Sequence, residues 1–377
     1  MLGLHRDIPT GYLDGARGIA VWLVWLSHSS GRDQALAPWL SFHGIGHVGV
    51  MLFFVLSGYL LAAPLARGGG FDYAAYLVRR FLRIAPLYYI VLAGVVAWDL
   101  AIGISTTRFL YLSGGPEVLV RHLLFLQGDG VFWTISTEFV FYLLLPPLAL
   151  ALVRYGARGF AALFAAAIAY GVYHAAIAGG LSELPPLKLV EIRQHSQFLD
   201  VFAIGVAFGV LSESPAARLY YARHQRGLDI CVLLAFAGTL LLTAALVSKR
   251  FLWLEQPLYA FRYASLAFAT VFGATLLSAS FGNARLRALL GCRALRFSGV
   301  VGYGWYLLHL PVLALVNLTP LAPPLKFALS TALVAAIASA AYLWVEEPGI
   351  RLGRRIGAAL SCRAWLRTPT ASARSTR

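Results

Sequence analysis

LDGARGIAVWLVWLSHSSG, residues 13–31, is a short apolar run bracketed by ionisable side chains: Asp14 and Arg17 at one end, His28 at the other. Arg17 and His28 are eleven residues apart, which on a helix is about 1100° of rotation, three turns plus roughly 20°. Both side chains therefore fall on one face, about 16 Å apart along the axis. In a membrane-length helix such a pair is costly unless it faces protein or water, which makes it a candidate functional site. The plainer alternative is an arginine reaching to the headgroups and a histidine at the far interface.

Outward from this stretch, composition sets the class. The 377 residues are 59% hydrophobic and 12% charged, with mean hydropathy +0.73, against about 25% charged residues in soluble proteins. The expected fold is an all-α polytopic integral membrane protein. Apolar windows of spanning length fall at about 12–30, 48–66, 84–103, 131–153, 158–178, 197–212, 228–247, 258–279, 297–317 and 325–345, predicting about ten transmembrane helices. The N-terminus has no signal-peptide pattern, so the first segment is expected to stay as a helix. With the N-terminus inside, 22 of the 31 Lys and Arg residues fall on the inner side and nine on the outer, so both termini are predicted cytoplasmic. The expected division is a cytoplasmic N-terminus at 1–11, a membrane domain at 12–350, and a basic, disordered cytoplasmic tail at 351–377.

The formal charge of +15 reads as topology and attraction to anionic lipid or phosphorylated ligands, not nucleic acid. Gly44–Gly49 matches G-x-G-x-x-G literally, but it follows no strand and opens a membrane helix, so the dinucleotide reading fails. His43 and His47 have metal-compatible spacing without a third ligand. Cys231, Cys292 and Cys362 show no metal pattern, and no metal is expected.

Several polar residues interrupt the later helices. Ser57 and Gly58 read as small packing residues. Arg80 and Arg83 share a helix face; they read either as a positive-inside anchor or as a phosphate clamp, since guanidinium forks suit phosphate oxygens. Pro86 is expected to disturb that helix. Glu138, a lone carboxylate early in the fourth helix, needs a donor, with His28 among its candidates. Glu191, Asp200 and Glu255 read as helix caps or ligand contacts. His309 lies inside an apolar run, either as a hydrogen-bonded core residue or as a functional one.

These pieces, in this order, resemble the membrane acyltransferase-3 family. The matching stretches are LDGARGIAVWLVWLSH, GVMLFFVLSGYLL, RRFLRIAPLYY, WTISTEFVFYLLLP, YGWYLLHLP and VEEP, spanning Leu13 to Pro348. Two departures stand out. Phe139 occupies the place of a second carboxylate beside Glu138. The chain also ends after the tenth predicted helix, so an appended extracytoplasmic esterase-like domain is not expected, and the acceptor is expected to be handled by the membrane domain alone or with partners.

The resemblance implies transfer of an acyl group, most often acetyl, from acetyl-coenzyme A to a hydroxyl of a carbohydrate or glycolipid, in the bacterial inner membrane. It implies no metal. Within it, His28 is the candidate base or transient acyl carrier, and Glu138 the residue that orients it or the acceptor. Arg17, Arg80 and Arg83 are candidates to hold the donor. Asp14, Trp133, Tyr303 and His309 are further candidates. A macrolide or other secondary metabolite is an alternative acceptor. A transporter of a glycolipid or small metabolite is the rival class; it calls for paired halves with matching broken helices, and no internal repeat is evident. A structural membrane subunit would leave His28 unexplained.

Overall fold

The computed structural model describes residues 11–30, 34, 42–67, 71–102, 116–178, 198–247 and 265–367. Expectations that fall on 1–10, 31–33, 35–41, 68–70, 103–115, 179–197 (with Glu191), 248–264 (with Glu255) and 368–377 lie outside the described residues. Among the described residues all regular structure is helical. In chain order the helices are α1 (Gly11–Ser30), α2 (Gly46–Ala66), α3 (Tyr73–Ile102), α4 (Pro116–Leu123), α5 (Phe132–Ala178), α6 (Leu199–Ser212) and α7 (Pro215–Val247). They continue with α8 (Ser265–Phe281), α9 (Ala284–Leu290), α10 (Arg293–Val300), α11 (Gly302–Asn317), α12 (Pro323–Ala341) and α13 (Glu347–Arg367).

By length and composition, five helical stretches among the described residues can cross a membrane: Gly46–Ala66, Tyr73–Trp98, Phe132–Ala169, Pro215–Thr243 and Pro323–Ser361. Two bent pairs, α8 with α9 at 107° and α10 with α11 at 78°, raise this to seven at most. The expected spans map onto this set unevenly. Gly11–Ser30 is not in it, because Asp14, Arg17, His28 and three serines dilute its apolar run. The expected sixth span is the 14-residue α6. The fourth and fifth are one run, broken at Gly156, whose φ of 51° suits glycine; the sequence places a boundary at that position. Pro86 does not end α3, and the segment expected as an inner loop at 67–83 is helical from Tyr73. Residues 351–367, expected as the start of a disordered tail, continue α13.

Local chemistry explains several boundaries. Asn283 caps α9 by accepting the Leu286 N–H at 3.1 Å. Pro323 sits in the first turn of α12, where its missing N–H costs no intrahelical bond. A single π turn, Tyr342–Glu346, joins α12 to α13. Such a turn adds a residue to the helix and changes which side chain faces inward; here it leaves Glu346 buried.

The core lies where α2, α6, α8 and α5 meet. The α2–α6 seam is closed by glycine: a Cβ on Gly205 would stand 2.4 Å from the Val55 carbonyl oxygen, and one on Gly58 2.6 Å from that of Phe202. Only backbones without a side chain between them approach so closely. On the other side of α2, α1 is covered by α9, α10 and α11. This cover lets α1 carry charge at a depth where lipid would oppose it.

Candidate active site

A cavity of about 110 Å³ opens between α1, α2, α3, α5 and the α10–α11 bend. Three guanidinium groups line it, Arg17, Arg80 and Arg83, against one carboxylate, Glu138. The i,i+3 spacing on α3 puts Arg80 and Arg83 on a shared face. Arg17 is held by Asp14, Nη1 to Oδ1 at 2.7 Å, one turn before it on α1. The Nε of Arg80 is buried and has no hydrogen-bond partner among the described residues. A buried donor left unsatisfied is expensive, and an anionic oxygen entering the cavity would satisfy it. Pockets that enclose a drug-sized ligand run to roughly 300–1,000 Å³, so this one suits a phosphate, an acyl group or a thioester arm, not a whole nucleotide.

Glu138 sits on the arginine side of the site. One carboxylate oxygen, Oε1, accepts from Ser57 Oγ at 2.6 Å and from Tyr142 OH at 2.6 Å. These two bonds clasp α2 to α5. Ser57 is therefore a hydrogen-bonding residue, while its neighbour Gly58 keeps the packing role. Tyr303 also lines the cavity, and its hydroxyl donates to the Ile84 carbonyl at 2.8 Å. Trp133 stands apart from the lining and packs on Phe54 and Phe198.

At the far end of the cavity Thr134 and Tyr306 meet, Oγ1 to OH at 3.0 Å. One helical turn beyond Tyr306 lies His309, and there α11 meets α1. His309 Nε2 is 3.2 Å from His28 Nδ1, with ring centroids 4.9 Å apart. His309 Nδ1 is 2.6 Å from the Tyr306 carbonyl oxygen, and His28 Nδ1 is 3.0 Å from that of Val24. Of the two residues expected to share a face of α1, Arg17 lines the cavity, and His28 meets His309 outside its lining. One turn further along α11, Gln34 donates to the Leu313 carbonyl at 2.8 Å and to Asn317 Oδ1 at 2.7 Å.

Two residues of this region carry no role in the sequence reading. Gln34 is fully buried, yet nothing in its local sequence marks it. Glu346, within the VEEP stretch, is turned inward by the π turn, and its Oε1 accepts the Gly304 N–H at 3.1 Å, next to Tyr303. Adjacent acidic residues at a helix start give no sign of which one is buried. Among the described residues no group of three His, Cys, Asp or Glu side chains could hold a metal ion.

Comparison with known proteins adds a family-level finding. A family model described as an acyltransferase domain matches residues 10–344. A putative membrane-bound transacylase, BcsY, of Komagataeibacter xylinus is 29% identical over 45% of this chain and 44% of its own. Peptidoglycan O-acetyltransferase OatA of Listeria monocytogenes is 22% identical over 83% of this chain and 50% of its own. Nodulation protein 10 of Rhizobium leguminosarum is 27% identical over 58% of this chain and 62% of its own. The chain thus spans about half the length of the curated relatives it matches. No solved structure matches it.

Proposed function

The chain belongs to the acyltransferase domain family, and from that premise we propose that it is a multi-pass membrane enzyme moving an acyl group, acetyl in the first instance, from acyl-coenzyme A to a hydroxyl. The acceptor is a carbohydrate or glycolipid of the cell surface; the name of the Listeria relative, a peptidoglycan O-acetyltransferase, supports that class. The enzyme sits in a bacterial inner membrane with both termini cytoplasmic, as the distribution of Lys and Arg favours.

The observation that carries this reading is the arginine cavity with a histidine pair beyond its far end. Arg80 and Arg83 take the donor's phosphate oxygens, and the unsatisfied Nε of Arg80 supplies one ready donor. Arg17, held by Asp14 and lining the same cavity, contacts the donor's phosphates or its pantetheine arm. His28, about 16 Å further along the same face, removes the proton of the acceptor hydroxyl, whose oxygen attacks the thioester carbonyl; the carbon–sulfur bond breaks and the thiolate leaves. An acyl group held transiently on His28 is the variant of this route. With the arginines at the inner end and the histidines toward the outer half, donor and acceptor approach from opposite sides.

The test is incubation of membranes containing the protein with labelled acetyl-coenzyme A and recovery of label in a carbohydrate or glycolipid fraction. Label that never exceeds that of membranes lacking the protein would overturn the reading.

A further inference from the structure

We infer that His309 is the positioning residue of His28: it helps to hold the His28 proton on Nδ1, leaving Nε2 to react, and shares the charge created when His28 acts as a base. The inference rests on the reading of His28 as that base.

The argument starts from two backbone carbonyls. A carbonyl oxygen only accepts, so a neutral imidazole whose Nδ1 lies at hydrogen-bond distance from one carries its proton there. This applies to His309, 2.6 Å from the Tyr306 oxygen, and to His28, 3.0 Å from the Val24 oxygen. With its proton on Nδ1, His309 presents a lone pair at Nε2. That nitrogen is 3.2 Å from His28 Nδ1, so the His28 proton is shared between the Val24 carbonyl and His309. Nε2 of His28 is then its basic nitrogen. The Val24 carbonyl and His309 act together on His28 Nδ1, and loss of His309 leaves one acceptor there in place of two.

The same contact handles charge. His309 is 1% exposed, and a lone imidazolium in such surroundings is costly. When the hydroxyl proton arrives at His28 Nε2, the proton on His28 Nδ1 is shared with His309 Nε2, while the His309 Nδ1–H stays on the Tyr306 carbonyl. The proton returns by the same route to the departing thiolate, so nothing else is consumed. Two rings thus share a charge that one would carry alone.

The experiment uses the full chain in nanodiscs with ¹⁵N-histidine, the His28 signals identified by their loss in His28→Gln. In the unaltered protein they should report Nδ1 protonated and Nε2 bare. His309→Ala should redistribute His28 toward the Nε2–H form, and should lower kcat for transfer from labelled acetyl-coenzyme A by on the order of 10²-fold with KM for the donor unchanged. His309→Gln keeps a carbonyl to accept from His28 Nδ1 but cannot take the proton. It should restore the tautomer while recovering only part of kcat, and it guards against a fold lost in the alanine variant. A His28 tautomer indifferent to His309→Ala, or full kcat in that variant, overturns the inference. A tautomer that responds as expected in a protein that transfers nothing would instead overturn the acyltransfer reading.

Discussion

Ser57 on α2 and Glu138 on α5 are joined by a hydrogen bond of 2.6 Å across the arginine cavity, and Tyr142 donates to the same carboxylate oxygen. Ser57→Ala leaves Glu138 one donor short in a partly buried site. The expected loss is about 1.5–3 kcal/mol of stability, the range for a hydrogen bond to a charged group. Because Ser57 and Tyr142 share one acceptor, Ser57→Ala and Tyr142→Phe should combine non-additively. Thermal unfolding of the two single variants and the double variant in detergent measures this; strictly additive losses would show that the two donors act independently.

Arg80→Ala and Arg83→Ala should raise KM for acetyl-coenzyme A more than they change acceptor use. Removing a charge-assisted contact costs about 1.5–3 kcal/mol, which is roughly 10- to 150-fold in affinity. Lysine should rescue only partly, since it lacks the planar fork. Unchanged KM with lowered membrane levels would return both arginines to the role of topology anchors.

His28→Ala should lower transfer by 10²–10⁴-fold while donor binding persists, the usual cost of a lost general base. The base and carrier roles separate on one measurement. Donor alone, added to the purified protein, leaves label on His28 if an acyl-histidine forms and no label if the hydroxyl attacks directly. Near-normal turnover of His28→Ala at saturating substrates would place the base elsewhere.

The inward-facing side can be read with a native residue. Cys292 is exposed in the short segment between α9 and α10, which the charge distribution assigns to the cytoplasm. With Cys231 and Cys362 replaced by serine, an impermeant maleimide should label it only after the cells are opened. Labelling of intact cells would invert the topology.

The legible parts of this protein are those that repeat along one helix. The eleven-residue spacing of Arg17 and His28, the i,i+3 pair on α3 and the break at Gly156 all follow from helical geometry and backbone chemistry. Contacts between helices are different in kind. His28 and His309 are 281 residues apart, and periodicity gives each a face without giving it a partner; both are marked as candidates, and only the fold joins them. Ser57 looks like packing because a hydroxyl beside a glycine in an apolar run has no visible acceptor. The helices α9 and α10, of seven and eight residues, are shorter than any membrane window, so α9 and the start of α10 read as a plain loop and the rest of α10 as the head of the 297–317 span. Yet they cover the N-terminal half of α1.

That cover bears on how the protein is made. The helix α1 leaves the ribosome ahead of most of its shield and carries Asp14, Arg17 and His28, and left alone in lipid each is penalised by the bilayer. The side chains and backbones that shield it belong to α2, α9, α10 and α11, and three of these four are synthesised more than 250 residues later. Co-translational insertion therefore yields an early segment with little hold on the hydrocarbon until the last third of the chain arrives. A chain stopped after α8 would contain all four core helices, α2, α5, α6 and α8, and still leave α1 without α9, α10 and α11, making it a ready substrate for membrane quality control.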